Sequence, residues 1–523
     1  MKTKVSFIIS ILTLAVFLFL LKDKLLFEEI LFFYFLPYFI FLIPLLIFVL
    51  IRFAFKKKET IQSFYFKLFI PSALFQILFI ILAAYISSSK YIYKKDALKD
   101  VDFMVQTIEE THPNPYEFVS KEHFYSDVEK IKNEIPIRMK IEDFLKKILK
   151  INAELKDGHT SVDLGYFFNS GLFFYKKIFP YKIKIINDRI IEIGHYSYKD
   201  RIPIGSEILK INGIFSNKVI DEASKLISYE NNAFRNYYLS MPFILSIWNN
   251  YRDYLVEYKE ANLNETKIVK TNGGLFAKIS FVRQQMSREN PYKFKILRNN
   301  IGYLEFNKFN DLDKFCILLN SAFTTIKAKK INNLIIDIRK NGGGKSSLGD
   351  ELFQYISHQP FKQFEYAEIK MSKEAIASNK ISKTDTNKIG SLNQYSNSEE
   401  IQLRENPLRF NGNCFLLVGG NTYSSASSFA STFQCYKMGK IIGTETGGLT
   451  VYYGDIYLYK LPNSGIDMQV SCKKYCNTCG IDNRRGIIPD YSVENSFKDE
   501  QNNFDRVLDY TCNLIINKQL GVK

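Results

Sequence analysis

The sequence predicts a mixed α/β protein, on three observations. After Asn300, short apolar strands alternate with helix-period segments, the pattern of a layered α/β domain. Residues 176–270 alternate apolar and polar positions as strands do, and the stretch from Asp96 to about 154 repeats apolar residues at helical spacing. At 523 residues the chain exceeds one ordinary core, so two or three domains are expected.

Taken in order, the first element is a membrane region, 1–89. Val5–Leu21 is 17 residues long, Ile30–Ile51 is 22 and Leu68–Ile86 is 19, each in or near the length that crosses a hydrocarbon core. The first run lacks a small-x-small cleavage site before Lys22, so it reads as retained rather than as a signal peptide. Pro37, Pro44 and Pro71 are tolerable where neighbouring helices satisfy the freed carbonyls. The cluster from Arg52 to Lys58 favours a cytoplasmic N-terminus and a cytoplasmic loop between the second and third spans, and three spans then leave the remainder outside the cytoplasm.

A helical subdomain, 90–165, follows. Leu98, Val101, Met104, Val105 and Ile108 form one stripe, His112-Pro113-Asn114-Pro115 ends it, and two amphipathic segments cover 121–133 and 141–154. Residues 166–296 are expected to hold a PDZ-like module and linker. Its signs are Tyr181-Lys-Ile-Lys-Ile-Ile186, Arg189-Ile-Ile-Glu-Ile193, a Gly205 turn, a strand ending at Asn212-Gly213, and a helix over Lys218–Ser228. In the core, 297–523, strands are expected at Ile301–Phe306, Leu334–Ile338 and Phe415–Val418, and helices over Leu312–Ile326 and from Ser424 to Met438. Residues 372–400, rich in Ser, Asn, Lys and Thr, read as a surface loop or insertion.

The net charge of +16 comes mostly from lysines scattered among acidic residues. With no nucleic-acid module in sight, a solvated basic surface is the reading, and nucleic acid is not an expected partner. Seven cysteines are too few for a disulfide scaffold. Cys472, Cys476 and Cys479 form one local cluster, but a zinc site needs a fourth ligand and none is adjacent. A local disulfide is as good a reading if the domain is extracytoplasmic, and no cofactor or metal is expected.

Three distant strings carry chemistry. Ser424 lies between the Phe415–Val418 strand and a helix, where unpaired amides and the positive dipole end favour developing negative charge. A helix cap is the plainer role for such a serine. Asn341-Gly342-Gly343-Gly344 follows a buried strand, and its glycines free backbone amides to face a ligand; a plain turn is the alternative. No P-loop or dinucleotide fingerprint fits these glycines. His159, one of five histidines, sits in Asp157-Gly158-His159-Thr160, a loop position from which an imidazole can serve as base.

Together these strings resemble the tail-specific (C-terminal-processing) serine peptidase family, in the branch akin to the tricorn protease core. Asp157–Thr160 looks like its "DGHT" segment, Asp337–Gly344 its "DxRxNxGG" strand and oxyanion loop, and Thr422–Ser428 its "TxSAAEE" nucleophile segment. Gly443–Gly448 resembles "GExTGG" and Gly486–Asp490 resembles "GVxPD", so the likeness spans roughly 100–515 in family order. The resemblance implies a crotonase-like ββα core and an acyl-enzyme mechanism. Ser424 would be the nucleophile and His159 the base, with Gly342, Gly343 and Ser425 amides at the oxyanion. Where one branch has a lysine base this chain has Leu449, which leaves the histidine. The family's orienting glutamate is replaced by Asn483, with Asp482 beside it, and either is a candidate third member. An asparagine can hold the tautomer without stabilising the imidazolium as a carboxylate does. No Gly-Leu-Gly-Phe loop marks the PDZ-like stretch, so capture of C-terminal tails rests on analogy alone.

The sequence thus predicts a membrane-anchored serine endopeptidase acting on a peptide or protein substrate. The rival expectation is an inactive relative that binds peptides at a membrane, and a membrane sensor is a third.

Overall fold

A computed structural model describes residues 91–164, 177–196 and 202–519, apart from 276–289, 379–387 and the short gaps at 242–243, 250, 252, 261–262, 264 and 397–398. The chain divides into two compact units, Met1–Ser89 and Lys90–Lys523. All three predicted membrane spans lie outside the described residues. Among the described residues, no helix is long and apolar enough to cross a membrane.

The second unit is mixed α/β. Its central sheet has six strands in the order Tyr292–Leu297, Ile301–Phe306, Asn333–Asp337, Asn413–Val418, Gly439–Gly443 and Tyr491–Ser492. The first pair is antiparallel and the others are parallel. Helices cover both faces, which is why these strands read as near-continuous apolar runs. On one face Leu304, Phe306, Leu334, Ile336 and Leu416 pack with the helices Leu312–Ala328, Ser347–Ile356 and Ser425–Cys435. On the other, Ile301, Tyr303, Ile335, Phe415 and Leu417 meet Val507, Cys512 and Ile515 of the helix Arg506–Gln519.

Register decides where the loops emerge. Glu305 pairs with Asp337, and Asp337 with Leu417, so the parallel strands end at one level. The loops that follow, Ile338–Ser346 and Gly419–Ser424, therefore share the carboxyl edge, where open α/β sheets place their ligands.

A second sheet supports that edge. The long antiparallel pair Val451–Lys460 and Asp467–Asn477 is extended by Phe364–Lys370 and Leu392–Ser396 on one side, and Ser161–Val162 pairs with its outer half. The helical region consists of Lys94–Thr111, Lys121–Asn133 and Ile141–Ala153, with Ser120 capping the second through the His123 amide. Between them and the core in sequence comes a six-stranded antiparallel sheet, built on Tyr181–Ile186, Arg189–His195, Glu207–Ile211, Asp253–Lys259 and Thr266–Asn272. Its helix runs over Ser216–Ser224, ending earlier than the predicted Lys218–Ser228. The 372–400 segment is less irregular than its composition suggested, holding a short helix, Lys373–Ala377, and a strand, Leu392–Ser396.

The cysteine cluster resolves differently from its spacing. Cys479 is bonded to Cys435, 44 residues earlier, while Cys472 and Cys476 are buried outside that bond. Cys472 and Cys476 belong to the strand Asp467–Asn477, whereas Cys479 lies in the following turn with φ of 57°. That turn swings the thiol to the last residue of the Ser425–Cys435 helix. Replacing Cys479 by Ser reopens this loop and is expected to lower unfolding free energy by about 2–4 kcal/mol, read from denaturant midpoints.

Candidate active site

The turn Asp157–Thr160 is organised by its own aspartate. Asp157 Oδ1 accepts the His159 amide at 2.9 Å, and Oδ2 accepts the Thr160 amide at 3.1 Å. Oδ2 also accepts the Ser471 hydroxyl at 2.6 Å and His112 Nε2–H at 3.1 Å. His112 Nδ1 accepts the Asn114 amide at 3.1 Å, which fixes the tautomer in which Nε2 carries the proton. The side chain is almost fully buried, and burial alone would push the carboxyl up. The His112 hydrogen bond and the His112 and His159 partners outweigh that and hold it well below the usual carboxylate range. Asp157 is therefore an ionised, fully hydrogen-bonded buried group.

The second sheet carries the turn inward. Gln469 donates to the His159 carbonyl at 2.9 Å and the Ser471 amide to Thr160 Oγ1 at 3.0 Å. A side chain at position 158 has no room, since a Cβ there would stand 2.5 Å from the Tyr423 hydroxyl. The His159 ring stacks on Tyr423 at 4.7 Å between centroids and lies 5.8 Å from that of Tyr452. Enclosure by these rings lowers its pKa, with Asp157 opposing the shift. The imidazole is accordingly neutral at physiological pH.

Ser424 occupies the junction between the strand Asn413–Val418 and the helix Ser425–Cys435, at φ 54° and ψ −129°. A non-glycine residue rarely adopts that conformation, and sharp strand-to-helix turns of this kind present a nucleophile. Thr422 holds the turn: its hydroxyl donates to the Ile338 carbonyl and accepts the Gly419 amide, both at 3.0 Å. The Tyr423 amide donates to the Asn341 carbonyl at 3.2 Å, tying the two edge loops together. The Tyr452 hydroxyl interacts with Ser424 and lies 3.0 Å from the Ser428 hydroxyl. His159 and Ser424 thus meet the same tyrosine, although no hydrogen bond joins the His159 ring to the Ser424 hydroxyl.

The glycine loop abuts this turn. A Cβ on Gly343, at φ 94°, would fall 2.8 Å from Ser424 Cβ and 2.9 Å from the Ser425 amide nitrogen. Ser425 begins its helix, so its amide has no carbonyl within the helix to bond. Of the three amides expected at the oxyanion, that of Gly343 is instead committed to Asn341 Oδ1 at 2.9 Å.

The two expected third members lie elsewhere. Asp482 faces Lys474 at 3.3 Å, and the Asn483 side chain accepts the Arg485 amide at 3.0 Å within its own exposed turn. The partner of His159 Nδ1 is instead the Tyr423 hydroxyl at 3.1 Å, which donates to Glu230 Oε1 at 2.6 Å. His112, Glu230, Ser471 and Tyr452 carry no motif of their own. Of the site's further residues, only Tyr423, adjacent to the serine, lies within one of the chemistry-bearing strings. Asp157, His159 and Glu230 bring one ligand atom each within 4.8 Å of one another. Four donors already occupy the Asp157 oxygens and Tyr423 bridges the other two, so the set suits a proton network better than a cation.

Residues 300–493 match the family model described as Peptidase family S41. They form an S41 peptidase domain. The match takes in the glycine loop and Ser424, while the His159 turn precedes it. The domain is that of a serine-type peptidase. Comparison with curated protein sequences gives no match. Among solved structures, mature CPAF complexed with lactacystin is 13% identical over 81% of this chain and 98% of that chain, with a TM-score of 0.58, a likeness of fold. A photosystem II D1 C-terminal processing protease is 15% identical, covering 76% of this chain and 93% of that one at a TM-score of 0.39. The tricorn protease is 15% identical over 81% of this chain and 37% of its own, at 0.37.

Asp157 is the group whose loss should be felt most in stability. Asp157→Asn removes the charge that four donors face, and is expected to cost roughly 3 kcal/mol or more at pH 7. Because its folded pKa is depressed, this contribution is present above the unfolded value near 3.9 and fades as pH falls below it. Denaturation of wild type and variant at pH 7 and at about pH 3 should show the gap narrowing at the lower pH.

Proposed function

We propose that the chain is a membrane-anchored serine endopeptidase that cleaves peptide bonds through an acyl-enzyme, with Ser424 as nucleophile and His159 as base. The observation that carries this reading is the Ser424 turn. A strained serine, an unpaired Ser425 amide and a side-chain-free Gly343 backbone converge at the sheet edge, with a neutral imidazole in the same tyrosine-lined cleft.

Ser424 Oγ attacks the scissile carbonyl carbon while its proton passes to His159 Nε2. The Ser425 and Gly342 amides face the oxyanion of the tetrahedral intermediate. Collapse expels the amine, which takes the proton back from Nε2, and a water repeats the sequence to release the acid and regenerate Ser424. The ionised Asp157, with Oδ1 4.0 Å from His159 Nδ1, favours the transient imidazolium.

The core supports a crotonase-like reading, with the antiparallel module as a PDZ-like adaptor for substrate. Anchoring rests on the three apolar runs in residues 1–89. The Cys435–Cys479 bond suits a catalytic unit outside the reducing cytoplasm.

Treating the purified protein with a fluorophosphonate probe is expected to label wild type and leave Ser424→Ala unlabelled, with peptide hydrolysis down by about a thousandfold or more. Equal labelling of both proteins, or hydrolysis that survives the substitution, overturns the assignment. A second outcome concerns pH. Since burial lowers the His159 pKa, kcat/KM should rise with pH through an apparent pKa below the ordinary imidazole value of 6.5. A pH–rate profile on a quenched peptide checks it.

A further inference from the structure

The imidazole of a serine hydrolase has two needs that one carboxylate usually meets: an acceptor that fixes the proton on Nδ1, and negative charge nearby. In this chain those needs fall on different residues. We propose that Tyr423, held by Glu230, is the positioning residue that fixes the His159 tautomer, while Asp157 supplies the charge. The proposal rests on the reading of His159 as the base.

The geometry runs in one direction. The Tyr423 hydroxyl has a single proton, and the 2.6 Å contact to Glu230 Oε1 takes it. Its oxygen then faces His159 Nδ1 at 3.1 Å as an acceptor, so Nδ1 carries the ring proton and Nε2 is left with its lone pair. A reversed arrangement would leave Nε2 protonated and unable to receive the serine proton. Tyr423 itself has little freedom, because its ring is stacked between His159 at 4.7 Å and Phe234 at 4.3 Å. Glu230 is equally fixed, since Oε1 also accepts the Gly158 amide at 3.1 Å from the histidine turn itself.

Charge at Glu230 is not part of the device. Its Oε2 is buried with no partner, and burial together with the neighbouring Asp157 charge pushes the carboxyl up to about 8. Near neutral pH the acid is mostly protonated, and Oε2 can hold the proton while Oε1 still accepts from Tyr423 and Gly158. Asp157 stays ionised and cannot take over the hydrogen bond. Its Oδ1 lies 4.0 Å from Nδ1 and accepts the His159 amide instead. The remaining titratable group packed on the ring is Tyr452, whose phenol is pushed up to about 12 and stays neutral.

The test uses the full-length protein with ring-15N histidine, the His159 signals being assigned by their loss in His159→Gln. The resting wild type should show His159 protonated on Nδ1 and bare on Nε2. Tyr423→Phe should shift the ring toward the Nε2–H tautomer and lower kcat on the order of a hundredfold with KM changed little, since orienting the base accounts for part of its 10²–10⁴-fold effect. Glu230→Gln keeps a neutral acceptor for Tyr423 and should retain kcat within about threefold, with the wild-type tautomer. A wild-type His159 protonated on Nε2, or a Tyr423→Phe enzyme within about threefold of wild type, overturns the proposal. A Glu230→Gln enzyme as damaged as Tyr423→Phe overturns the neutral-acceptor role. The tautomer is read on the resting protein, so it decides the positioning role even if Ser424 proves to hydrolyse nothing.

Discussion

One buried carboxylate ties the site to the fold. Asp157 receives a hydrogen bond from the end of the first helix through His112, two from its own turn, and one from the second sheet through Ser471. A charge this deep is stable only with such a full set of donors, so each donor constrains the others. The helical region, the long hairpin and the histidine turn are locked into one arrangement by that requirement. The position of the His159 ring follows from it.

The Ser424 turn depends on a different constraint, the shared level of the parallel strands. Because Asp337 and Leu417 are register partners, the glycine loop and the serine turn leave the sheet side by side. Asn341 then joins them, with its carbonyl taking the Tyr423 amide and its side chain reaching both Phe306 and Gly343. Gly343 can approach Ser424 closely only because it has no side chain. At its far end the helix that follows Ser424 is tied by Cys435 to the Cys479 turn, so the segment bearing Ser424 is held at both ends.

The aromatic lining gives the cleft its electrostatic character. Tyr423, Tyr452 and Phe234 exclude water from His159 and Glu230, which keeps both neutral, while Asp157 is kept anionic by direct donors. Neighbouring acids in one pocket are thus pushed in opposite directions by their surroundings. The proposed division between an acceptor and a charge on different side chains depends on that separation.

Much of this protein was written locally. Strand and helix periodicity placed Ile301–Phe306 and the helix 121–133 at their observed bounds, and glycine and serine spacing marked the two edge loops and the histidine turn. Those features depend on neighbours a few residues apart, and a linear pattern records them. Tertiary structure alone decided the partners: Glu230 for Tyr423, Ser471 and His112 for Asp157, Cys435 for Cys479, and the commitment of the Gly343 amide to Asn341. Asn483 and Asp482 were close to the motif in sequence yet lie on an exposed turn. Apart from the Asn341 contact, these pairings join residues 44 to 314 positions apart, and glutamate, tyrosine or serine at such sites leaves no periodic trace. Sheet register and burial select them, and neither is expressed in the chain until it has folded.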